Sequence, residues 1–148
     1  MNKPNYKLLL KETIDTLSEA DHWLARSYKK CKEIGIKKQF TEEEFDAFEN
    51  LTSRFARTSD IIVQKAYKTI DKLEFEYSGT LIDILNRSHK RGLFDSIEEI
   101  RIIRELRNEI AHEYTKKDLT HLFSEILKLT PILFKLITSI KKYSEGKT

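Results

Sequence analysis

Glycine and proline are scarce. Four glycines and two prolines in 148 residues leave few sharp turns, and such a chain reads as helical. Cysteine is scarcer still. Cys31 is the only one, which excludes an internal disulfide. It falls on the apolar side of the first helical segment and reads as a small buried residue rather than a nucleophile. No apolar run approaches the roughly 18 residues of a membrane span, and no signal-peptide pattern is seen. A cytoplasmic protein with no membrane partner is therefore expected. There is no glycine-rich phosphate loop, so the chain is not expected to bind ATP itself. His22, His89 and His121 are scattered, and none has the His-Glu-x-x-His spacing of a metal site. No metal and no cofactor are expected. Strong charge of one sign is also missing. A net charge of +3 permits RNA binding without arguing for it.

What is present is charge of both signs, 34% of residues, laid out with helical period. The length suits one domain with a sizeable core. Five helices are predicted. The first runs from about Asn5 to Glu33, with Leu9, Leu10, Leu17, Trp23 and Leu24 among its inward positions, and Gly35 stops it. The second opens at a Thr41/Glu44 capping box and continues to about Phe75, with Phe48, Leu51, Phe55, Ile62 and Leu73 inward. A third covers roughly Thr80 to Arg91. The fourth runs from Ser96, capped with Glu99, to about His112. The fifth runs from Asp118 to about Tyr143, and Pro131 is expected to kink it. The residues from about 142 read as a polar tail. Phe45, Phe48, Phe55, Phe123 and Phe134 sit at core spacing rather than as base-stacking platforms. These elements fit an all-α bundle.

The fourth helix carries the chemistry. Ile102, Ile103, Leu106 and Ile110 gather in a stripe that faces the core, while Arg101, Arg104, Asn108 and His112 gather opposite. Asn108 and His112 are four apart and adjoin on a regular helix. Arg107 sits at the edge of the stripe, and its stem is long enough to bring the guanidinium toward His112. A histidine that titrates near neutral pH beside a permanent cation suits work on phosphate esters. Tyr114 lies near the helix end, ahead of Thr115-Lys116-Lys117-Asp118. The second helix adds a polar row of Asn50, Arg54, Arg57, Gln64, Lys65 and Lys68. Such a row is either a solvated face or a track for an RNA backbone. Arg54, Arg57 and Arg104 are the candidate RNA contacts outside the motif.

The string Arg107-Asn108-x3-His112-x-Tyr114 on a late helix of a small helical chain resembles the HEPN superfamily, and within it the HepT toxins. The resemblance covers most of the chain. It implies a HEPN-type helical bundle and a metal-independent endoribonuclease acting on tRNA or mRNA. Arg107 and His112 would be catalytic, with Asn108 supporting. His112 would serve as general base or acid in attack by the ribose 2′-OH, and Arg107 would stabilise the charge on the phosphorane-like transition state. The resemblance also implies a homodimer with the two motif helices facing across a two-fold axis. It implies a nucleotidyltransferase antitoxin that attaches AMP to the motif tyrosine, Tyr114. The alternative is a non-catalytic helical partner or substrate-binding subunit of a nucleotidyltransferase.

Overall fold

The computed structural model describes residues 4–112 and 116–148, with backbone alone at 116–118. Among the described residues there is no strand, and the helices form five rods. The first is α1 (Tyr6–Ile34), capped by Asn5 and ended by Gly35 at φ 75°, a left-handed conformation that favours glycine. The second rod is composite. It runs through α2 (Glu42–Asp60), a π-helical segment (Ile61–Ala66) and α3 (Tyr67–Leu73). The Thr41/Glu44 capping box opens it, as the sequence predicts. Then come α4 (Leu81–Lys90), α5 (Ile97–Ile110) and α6 (Lys116–Ser144). No described helix is long and apolar enough to cross a membrane.

The π segment was not foreseeable from the 3.6-residue period. Ile61, Ile62 and Val63 are three consecutive apolar residues, and all are buried. A regular α-turn spreads three neighbours over more than half its circumference. Here the wider turn, closed by the Tyr67 N–H donating to the Ile62 carbonyl, tucks the extra residue into the core. The composite rod packs against α1, α5 and α6, so it has few solvent-facing positions to spare.

The core has a regular seam. Leu10, Leu17, Leu24 and Cys31 recur every seventh residue of α1, and all are fully buried. Phe48, Phe55 and Phe123 are buried with them, and the Phe48 and Phe123 rings stack at 5.1 Å. The expected core position of these phenylalanines holds, with Phe45 and Phe134 partly buried at its edge. Two expectations on α1 do not hold. Leu9 and Trp23 are each 39% exposed. Each precedes a seam residue, and one step along a helix turns the side chain by about 100°.

The far end of the bundle is closed by an ion network. Asp71 on α3 accepts from Arg87 Nε at 2.9 Å and Nη2 at 2.7 Å, and also pairs with Arg91. Arg91 Nε donates to Glu74 at 2.6 Å, and the Tyr143 hydroxyl donates to the other Glu74 oxygen. The expected polar tail from about 142 is thereby corrected. The network holds Tyr143, and α6 continues through a buried Ser144. Pro131 lies on an exposed position and does not interrupt the 29 residues of α6. It removes one backbone hydrogen bond from a helix otherwise held by its packed face.

Candidate active site

Arg107 leaves α5 at the edge of its buried face. Its stem crosses to the end of α2, where the guanidinium meets Asp60 in a two-pronged pair. Nε donates to Oδ1 at 2.9 Å and Nη2 donates to Oδ2 at 3.0 Å. The sequence expectation that Arg107 turns toward His112 is therefore corrected. α5 packs on α2, so the nearest acceptor for an edge side chain lies across that interface. The hydrogen bond donated to Asp60 raises the Arg107 pKa further above its ordinary value, against the opposing effect of partial burial. Arg107 is a fixed cation at any working pH. This side-on geometry engages one edge of the fork and leaves Nη1 clear of the carboxylate.

Asp60 is the residue that sequence reasoning missed. It stands 47 positions before Arg107, and no short motif links the two. It ends α2 and immediately precedes the π segment, a kind of irregularity common at functional sites.

Around the pair the surface is hollow. Asp60, Gln64, Arg104, Arg107 and Asn108 line an open depression of about 440 Å³. A second, of about 510 Å³, shares Asp60, Gln64 and Arg107 and adds Arg57 and Lys65. Arg104 and Arg57 thus join Arg107 on one continuous surface. Arg54 does not. Its Nη1 donates to the Trp23 carbonyl at 3.2 Å and to Ser27 Oγ at 2.6 Å, tying it to α1.

His112 lies just beyond α5. The helix ends at Ile110 and closes with tighter turns. The Ala111 N–H donates to the Asn108 carbonyl at 3.1 Å, and the His112 N–H donates to the Glu109 carbonyl at 3.0 Å. The helix end expected at about His112 is two residues too late, so the four-residue spacing of Asn108 and His112 no longer guarantees that they adjoin. Both are exposed. Among the described residues, no hydrogen bond joins the His112 ring to Arg107 or Asn108, and His112 lies outside the lining of both hollows. The Ser96/Glu99 box is half formed. Ser96 Oγ accepts from the Glu99 N–H at 3.4 Å, while the Glu99 carboxylate faces Lys135. Tyr114, the expected modification site, lies outside the described residues.

Elsewhere the chemistry is quiet. Among the described residues, no three His, Cys, Asp or Glu side chains converge as a metal site. Cys31 is buried, and burial pushes its thiol up to about 11, out of reach as a nucleophile. His89 meets the Asp95 carbonyl at 3.1 Å and stacks on Phe94. Comparison of the chain with protein-family models, curated proteins and solved structures finds no match.

Proposed function

We propose that this protein is a HEPN-type endoribonuclease toxin that cuts RNA by internal transesterification. The observation that carries the reading is the guanidinium of Arg107, oriented by Asp60 over an open hollow also lined by Arg104 and Asn108. Such a cation, held in place before the substrate arrives, stabilises charge that develops on a phosphoryl oxygen. The ribose 2′-oxygen attacks the adjacent phosphorus and gives its proton to His112. The bond to the 5′-oxygen breaks, and that oxygen takes a proton. The products are a 2′,3′-cyclic phosphate and a 5′-hydroxyl. One histidine serves poorly as base and acid in the same step. A homodimer that brings two α5 ends together supplies the second, and encloses a His112 that one protomer leaves in water. The RNA class is tRNA or mRNA.

In the same reading, a nucleotidyltransferase antitoxin silences the enzyme by adding AMP to Tyr114. The added anion competes with the RNA phosphate for the arginines of the site. Incubation of the purified chain with total RNA tests the activity. Cleavage that persists in EDTA and disappears in Arg107→Ala and His112→Ala, with helical circular dichroism intact, is the expected result. Strict Mg²⁺ dependence or 3′-hydroxyl products would contradict it. The reading as a non-catalytic partner of a nucleotidyltransferase predicts no cleavage by the isolated chain. Intact-mass analysis after coexpression with a nucleotidyltransferase tests Tyr114; a neutralised but unmodified toxin would point to direct occlusion.

A further inference from the structure

Next to the Arg107 hollows lies a recess between α1 and α2 that the motif chemistry does not use. It encloses about 240 Å³, and its lining includes Glu19, Trp23, Arg54, Arg57 and Thr58. Arg57 also lines the hollow that holds Asp60 and Arg107, so the two adjoin. Trp23 is the only tryptophan of the chain, and it is 39% exposed. Two guanidinium groups lie against its ring, Arg54 at 5.2 Å and Arg26 at 5.5 Å from the centroid. Arg54 is tied down by its bonds to Trp23 and Ser27. Arg26 has no hydrogen-bond or ion-pair partner among the described residues and can yield its place.

These groups specify a ligand. The carboxylate of Glu19 repels a phosphate. A flat heteroaromatic ring with N–H donors fits every group. It stacks on the indole and on a guanidinium plane, as bases of single-stranded RNA do on such side chains. Its exocyclic amine donates to Glu19. A duplex cannot offer this, because its bases already stack on one another. We propose that the Trp23 recess is a nucleobase subsite for single-stranded RNA, taking a base of the strand whose phosphate is held at Arg107, with amine-bearing bases preferred to uracil. The placement of that phosphate rests on the ribonuclease reading.

The lone tryptophan makes the test direct. The His112→Ala chain, which leaves the strand uncut, is titrated with oligoadenylate and oligouridylate hexamers. Indole emission is read beside the anisotropy of a fluorescein-labelled strand. The expected result is saturable quenching with tighter binding of oligoadenylate. Trp23→Ala should weaken binding by about tenfold, and Trp23→Phe should keep most of it. Strand binding with unchanged emission, and with unchanged affinity in Trp23→Ala, overturns the subsite while the ribonuclease reading stands; the recess would then serve something other than RNA. Equal affinity for the two hexamers overturns the base preference. Absence of any binding overturns the subsite as well, and cleavage by the unaltered chain then judges the ribonuclease reading separately.

Discussion

Arg107 and Asp60 show how much one contact decides. A guanidinium on a free stem samples many rotamers; a carboxylate that grips two of its nitrogens leaves it few. On the ribonuclease reading proposed above, Asp60 is a positioning residue that acts through Arg107. The pair is half exposed, with side-chain exposures of 32% and 46%, so its stabilising effect on the fold is small. Its effect on cleavage should be larger. Asp60→Ala is expected to lower kcat/KM by about tenfold, mostly through kcat, because a misplaced group weakens the transition state more than it weakens strand binding. Arg107→Lys keeps the charge but cannot form the two-pronged pair, and a similar or greater loss is expected. Cleavage kinetics on a labelled RNA, beside far-ultraviolet circular dichroism, check both. Unchanged kcat in Asp60→Ala would show that Arg107 needs no orientation.

Among the elements, α3, α4 and the end of α6 are joined by charge as well as by apolar packing. Asp71 is 2% exposed and is met by two arginines. Removing it leaves Arg87 without a carboxylate partner and Arg91 with Glu74 alone, and Asp71→Ala should cost about 3 kcal/mol. Urea unfolding reads this as a lower midpoint at an unchanged slope. Glu74 adds a pH dependence. Burial disfavours its charge, but hydrogen bonds from Tyr143 and Arg91 outweigh that and hold its carboxyl below the ordinary 4.5. A depressed carboxyl stabilises the fold above its unfolded value, and the stabilisation fades as pH falls through the folded value. The melting temperature should therefore drop as pH is lowered from about 5 to about 3, and less steeply in Glu74→Gln. Parallel limbs for the two proteins would mean that Glu74 carries no linkage.

For the whole molecule, the expectation concerns assembly. A water-exposed His112 at the end of α5 is poorly set for proton transfer in a lone protomer. Light scattering at micromolar concentration should give twice the 17.5 kDa of one chain. Mixing an Arg107→Ala chain with a His112→Ala chain should restore some cleavage if each site draws on both protomers. A strict monomer that cleaves RNA would refute the dimer while leaving the chemistry in place.

The five rods, their caps and most of the core were legible in the sequence, because apolar periodicity and capping residues act within a few positions of one another. The stripe of α5 needed nothing beyond its own turn, and Ile103 and Leu106 are buried accordingly. The π segment was not legible: whether Ile61 enters the core depends on the helices that surround it, not on its neighbours in the chain. The helix end ahead of His112 and the outward turn of Trp23 differ from expectation by a residue or two, the distance over which a helical phase changes face. The partner of Arg107 lay furthest from view. Which carboxylate a long side chain grips is settled by how α5 lies on α2, and only the folded chain brings Asp60 within 2.9 Å of it.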